Sequence, residues 1–258
     1  MAGVLTETRE GVRIITLNRP ERHNAMNDEM GELFRAAIDD ALADEAAISV
    51  LILAAGNSFC SGRDVTVLGH RARDESNFTF FRRHQAGRMK LLDSPKPFVA
   101  ALKGAVIGGG CELALACDVR VSSTDLKMSL PEINYGILPD TGGSQMMTAL
   151  IGPSRTKYMV LSGERIDAAT ALSWGAVDFV VEPEELDERA FQIARTFAKK
   201  PPIALAMGKA MVDQMHMGAI KNGLGQELIA QTALYSSEDY KENRAARAEG
   251  REPRYRGR

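Results

Sequence analysis

The period of apolar positions changes along the chain, and each change marks a different element. Val12–Leu17 is short and rich in β-branched residues, which predicts a strand. Ser49–Ala54 is almost wholly apolar, the pattern of a strand covered on both faces. Between them Met30, Leu33, Phe34, Ala37, Ile38, Ala41 and Leu42 recur at helical spacing and form one stripe. Asn27 stands where a cap is needed, and Asp28 and Glu29 suit the positive end of the helix dipole. Strand, helix, strand in this order predicts a right-handed crossover and an α/β fold.

The alternation continues. Residues 78–92 are helical in composition and stop at Pro95-Lys96-Pro97. Residues 98–102 read as a short apolar strand, 111–116 as an apolar helix, and 119–122 and 126–129 as short strands. After Gly143 helical stretches dominate: 154–161, 167–174, 184–199, 203–215, 225–235 and 238–249, with one more strand at 178–181. The Lys199-Lys200-Pro201-Pro202 break divides the chain into an α/β core, 1–199, and a helical region, 200–258.

At 258 residues the chain is long enough for one large domain, or for a domain with an appendage. A net charge of −2 argues against a general electrostatic grip on nucleic acid, so an anionic substrate needs local positive charge. The three cysteines, Cys60, Cys111 and Cys117, have no zinc spacing and read as reduced, buried thiols. The histidines, His23, His70, His84 and His216, lack metal-ligand spacing and read as surface or packing residues, so no metal site is expected. The N-terminal residues carry no secretory pattern, and no run reaches the ~18 apolar residues of a membrane helix, so the expectation is a cytoplasmic protein.

No nucleophile elbow, Walker A loop or dinucleotide fingerprint is present. Three segments stand out instead. In Gly104 to Asp118, a strand leads into Gly108-Gly109-Gly110 and then an apolar helix carrying Glu112. Glycines there would let a ligand reach backbone N–H groups, which at a helix start can hold a developing oxyanion. Glu112 could merely compensate the helix dipole, but the helix it opens is apolar enough to desolvate it, a setting used for acid–base catalysts. The second segment, Asn57 to Val65, follows a buried strand, a common ligand position in α/β folds, though Ser, Gly and Asp also make ordinary turns. The third, Leu130-Pro131-Glu132 followed by Gly136 to Gly143, brings a second carboxylate, which could share acid and base roles with Glu112 or be a loop or cap residue.

Together these segments resemble the crotonase, or enoyl-CoA hydratase/isomerase, superfamily over essentially the whole chain. Asn18-Arg19-Pro20 with Asn24-Ala25 is similar to the family's N-R-P-x-x-x-N-A segment, and Phe59 to Asp64 to its F-[SC]-x-G-x-D loop. Gly104 to Asp118 resembles its G-x-x-x-G-G-G-x-E-L-x-x-x-C-D signature, and Pro131 to Gly143 its P-E-x-x-x-G-x-x-P-x-x-G-G segment. Leu161-Ser162-Gly163 with Ala168, Ala171, Gly175 and Val177, and the ending Pro253-Arg254-Tyr255, also look like family features.

The resemblance implies a spiral of ββα units with a C-terminal helical trimerisation region, assembling as a homotrimer or homohexamer. It implies an acyl-CoA substrate and no cofactor beyond that CoA. Its oxyanion hole would be the backbone N–H groups of Arg63 and Gly109. Glu112 would activate water and Glu132 would protonate the α-carbon in syn hydration of a 2-trans-enoyl-CoA. Arg22, Ala25, Ser61, Gly62, Asp64, Val65 and Gly108 would contact CoA or substrate. Asp140 departs from the pattern of many hydratases, which have a small residue there. It would be a third pocket carboxylate, as in some isomerases acting on ring-derived acyl-CoAs, or a helix cap. Double-bond isomerisation through Glu132 or Asp140 is therefore the alternative activity. RNA or CoA binding without catalysis, through the arginine-rich segment 241–258, is a further alternative, weakened by Glu242, Glu249 and Glu252 within it.

Overall fold

The computed structural model describes residues 3–67 and 73–258. The chain opens with β1 (Val4–Arg9) and β2 (Val12–Leu17), an antiparallel hairpin closed by Glu10 and Gly11, both at positive φ. That backbone twist suits a two-residue hairpin. Next comes α1 (Asp28–Ala43), capped as expected by the Asn27 side chain accepting from Met30 N. It delivers the chain to β3 (Ser49–Ala54), parallel to β2. Ser76 caps α2 (Asn77–Leu92), which is followed by β4 (Phe98–Leu102), parallel to β3. Then follow β5 (Ala105–Ile107), α3 (Gly109–Leu115), β6 (Val119–Ser123) and β7 (Lys127–Ser129).

The helical half comprises α4 (Gly143–Ser162), α5 (Ala168–Trp174), α6 (Leu186–Ala198), α7 (Pro202–Leu234) and α8 (Glu238–Glu249), with short strands β8 (Ile166–Asp167) and β9 (Phe179–Val181) between them. The fold is thus mixed α/β, as expected. In this half two helices differ from the sequence reading. The stretches 203–215 and 225–235 are one helix, α7, unbroken by Gly208, Gly218, Gly223 and Gly225. Glycine weakens a helix interior by about 1 kcal/mol but does not block its hydrogen bonds as proline does. Gly223 has a packing reason, because a Cβ there would lie 2.2 Å from Gln145 Cγ. Helix α4 runs through a kink at Gly152, just before Pro153.

Among the described residues, the main sheet has the order β1-β2-β3-β4-β6-β9, parallel from β2 onward. Its two faces sort by the period of two. Ile15, Leu17, Val50, Ile52, Phe98, Ala100 and Leu102 face the principal core with α1 and α3. Val12, Ile14, Leu51, Val99, Ala101 and Val121 pack on Leu186, Ala190, Phe191 and Ala194 of α6. Being covered on both sides explains why these strands read as continuous apolar runs. A second sheet, β5-β7-β8, stands beside the first and leads into α3. The loop before Arg63 is stitched to it, with Cys60 N donating to Ala105 O and Ile107 N to Cys60 O. This stitching brings residues far apart in sequence to the start of α3.

Candidate active site

Backbone geometry builds the site. Gly108 sits at φ +54°, where a side chain is strained, and a Cβ there would approach Glu132 Oε1 to 2.8 Å. A Cβ on Gly110 would meet Cys60 O at 2.1 Å, so only glycine lets the 60–63 loop lie against α3. The space outside Gly109 is bounded by Arg63 N and Glu112 Oε2, each 4.0 Å from where a Cβ would stand. The amide of Gly109 begins a helix and has no intrahelical acceptor. The Met26–Arg63 bridge uses Met26 N to Gly62 O and Asp64 N to Met26 O, and leaves the Arg63 amide out of its ladder. Two N–H groups and a carboxylate thus border one small volume.

Glu112 is only 2 % exposed, in keeping with the expected desolvation. Its Oε1 accepts from Thr141 N at 2.8 Å and Gly143 N at 3.0 Å. Glu132 opens a 3₁₀ turn, Glu132–Tyr135, after β7. Burial, reinforced by the Glu112 charge, holds its carboxyl well above the usual range. Its Oε2 is shielded from solvent and has no partner within the protein.

Asp140 is not a helix cap: α4 is capped by Gly142, with no side-chain bond. Its carboxyl turns into the cavity, where Oδ2 accepts from Gln231 Nε2 at 3.1 Å. Burial, and then the Glu112 charge, push it up to about 7.

A fourth acid, Glu227 of α7, was not singled out by the sequence. It is 6 % exposed, and its Oε2 accepts from Gly142 N at 2.8 Å. Burial and the charge of Glu112 raise it to about 8. The amides of Thr141, Gly142 and Gly143 are therefore all taken by carboxylates, from Glu112 on one side and Glu227 on the other. Gln231, one turn further along α7, both donates to Leu138 O and accepts from Leu138 N. Neither residue has a local signal, because each is one polar position within a long helix.

A cavity of about 220 Å³ is lined by Glu112, Glu132, Asp140 and Gln231, but not by Glu227. Of the expected site residues, Ser61, Gly62, Arg63, Val65, Gly108, Gly109, Glu112, Glu132 and Asp140 line it, whereas Arg22, Ala25 and Asp64 do not. Asp64 is instead engaged by the protein: against the cost of burial, hydrogen bonds from Thr66 and Arg19 hold it down at about 2. Phe80, Phe81 and His84 of α2 also reach the cavity, and residues 68–72, with His70, lie outside the described residues. All three cysteines are buried and free, as expected. In the C-terminal segment, Arg251 pairs with Glu242 and Glu249, and Arg258 with Glu238, so acids offset part of its basic charge. No helix among the described residues is long and apolar enough to cross a membrane.

Residues 7–258 match the Enoyl-CoA hydratase/isomerase family. The chain is 32 % identical to the short-chain-enoyl-CoA hydratase of Clostridium acetobutylicum over 96 % of its own length and 95 % of that protein. It is 34 % identical to the 2,3-dehydroadipyl-CoA hydratase of Escherichia coli, covering 100 % of both chains. Its fold matches the crystal structure of an enoyl-CoA hydratase/isomerase from Xanthobacter autotrophicus Py2 with a TM-score of 0.87, at 32 % identity, over 96 % of this chain and 94 % of that one. The chain belongs to the enoyl-CoA hydratase/isomerase family and has the crotonase fold. It is accordingly an enzyme of the hydratase/isomerase class that acts on acyl-CoA, and its relatives support enoyl-CoA hydration.

Proposed function

We propose that the chain adds water reversibly across a 2-trans-enoyl-CoA, with Glu112 as base and Glu132 as acid. The observation that carries this division of labour is the state of Glu132. It is half-buried, its carboxyl is pushed well above the usual glutamate range, and its shielded Oε2 is unclaimed by the protein. The thioester oxygen would accept from the amides of Arg63 and Gly109, which stabilise the enolate-like charge that develops there. One such donor typically contributes about 3–4 kcal/mol to the transition state. Glu112 takes a proton from water as its oxygen bonds to C3. The electron pair of the C2–C3 double bond takes the proton of Glu132 at C2. Glu112 is left protonated and Glu132 ionised, and exchange with solvent resets both. The scheme uses protein groups, water and the substrate's own CoA, with no further cofactor. Loss of the conjugated absorbance of crotonyl-CoA, with product heavier by one water, tests the reading; a panel of 2-enoyl-CoAs left unhydrated overturns it.

Asp140 favours a second reading, double-bond isomerisation of a 3-enoyl-CoA. With its carboxyl at about 7 inside the cavity, it can both take and return a proton near neutrality. Product mass separates the two, since isomerisation leaves mass unchanged. Asp140→Asn would abolish isomerisation while hydration persists.

The working molecule is proposed to be a trimer, alone or paired into a hexamer. Ile203, Met207, Met211 and Met215, one turn apart along α7, are 63–79 % exposed in the single chain. So broad an apolar face suits burial against a second copy.

A further inference from the structure

Hydration of an uncharged acyl chain asks nothing of two guanidinium groups that border the cavity. Arg88 of α2 donates from Nη2 to Gly109 O at 3.3 Å. Its Nε is closed off from solvent and has no partner, and among the described residues Arg88 forms no ion pair. Burial draws its pKa down, outweighing the charges of Glu112 and Asp140 that act to raise it. Arg63 has one guanidinium nitrogen, Nη1, paired to Asp28 at 2.7 Å. Its other, Nη2, is also shielded and unpartnered, and the group sits 5.1 Å from the Phe80 ring centre. Both side chains line the same cavity as Asp140, and both cations draw its carboxyl down. His84, packed against the Phe80 ring, adds no charge: burial and the charges of Arg63 and Arg83 depress it to about 4. Thr141, which also lines the cavity, has in Oγ1 a third shielded polar atom without a partner.

Shielded donors without acceptors are costly unless a ligand supplies the acceptors. We infer that Arg88 and the Arg63 side chain form a subsite for a carboxylate on the acyl group, so that the preferred substrate is an enoyl-CoA with a second, free carboxyl. This rests on the hydratase reading for the reaction but not for the binding. The carboxylate would accept from Arg88 Nε and Arg63 Nη2, two charge-assisted bonds in a place shut off from water. Asp140 does not forbid it, because a carboxyl near 7 takes up a proton when a second anion approaches.

The test compares two enoyl-CoAs of equal chain length, one ending in a carboxylate and one in a methyl group. The carboxylate substrate is expected to have the higher kcat/KM by at least about tenfold, as a shielded charge pair supplies. Arg88→Met should collapse that ratio towards one, and Arg88→Lys should restore part of it. Equal kcat/KM for the two substrates in the unaltered enzyme, or preference for the methyl one, overturns the subsite and leaves hydration standing. An equal loss on both substrates in Arg88→Met, with the ratio kept, also overturns it and makes Arg88 a counter-charge for the acids. Should Arg88→Met fail to fold, the unaltered enzyme still decides by its ratio. Calorimetry with the matching saturated acyl-CoAs measures binding without chemistry. A tenfold preference there, with neither enoyl-CoA hydrated, keeps the subsite and removes the hydratase reading.

Discussion

Four carboxyl groups share the interior near Glu112, and their separate settings are what permit separate tasks. Glu112→Gln and Glu132→Gln should each lower kcat for crotonyl-CoA by about 10²–10⁴-fold, the usual contribution of one positioned acid or base. Stopped-flow loss of the enoyl absorbance measures it, and retention of full rate in either variant would remove that residue from the proposed pair. Glu227 makes a prediction of another kind. Its folded pKa, about 8, lies above the ordinary glutamate value of 4.5. The native state therefore holds a proton that the unfolded chain releases, and this costs stability as pH rises from about 4.5 to 8. Glu227→Gln should gain on the unaltered protein across that window, by up to about 1.4 kcal/mol per pH unit. Urea titrations at pH 5 and pH 8 would show it, and a constant difference between the two proteins would refute it. At this scale the sequence exposed Glu112 and Glu132, because both stand beside glycines and prolines that mark turns. Asp140 was visible but ambiguous, since cap and pocket demand the same short acid. Glu227 and Gln231 were hidden, because contacts made 85 and 93 residues away along the chain leave no mark on their own helix.

The elements were legible wherever burial imposes a period. The stripe of α1 and the apolar runs of β3 and β4 follow directly from the faces they bury. The edge strand β1 was not legible, because five of its six side chains are exposed and no face selects their type. The junction before α3 is the most exacting element. Gly110→Ala places a methyl group against Cys60 O, which nothing but backbone movement can relieve. A loss of about 3 kcal/mol or more and a displaced Arg63 amide are expected. Thermal unfolding and kcat measured together check this, and a stable, active Gly110→Ala would contradict the account of the loop. By contrast, Asn27→Ala removes one cap of α1 and should cost about 1 kcal/mol with kcat unaltered.

For the molecule as a whole, the exposed apolar side of α7 decides association. Met211→Lys combined with Met215→Lys should shift the sedimentation mass from three chains or six towards one, because burying two unpaired charges opposes assembly. An unchanged mass would move the interface elsewhere. The same helix has an inward duty. Through Glu227 it holds Gly142 N, and through Gln231 it holds Leu138 and Asp140, while Ile220 and Leu224 join the principal core. Possessing the signature and being competent to use it are consequently different properties of this chain. A fragment ending at the Lys199-Lys200 break would retain all three signature glycines and both glutamates of the proposed pair. It would have lost one of the two acceptors that fix the amides beyond Asp140. A gene truncated there would still be recognised by its motifs, and its product would be a poor catalyst for want of a distant helix rather than of any reacting group.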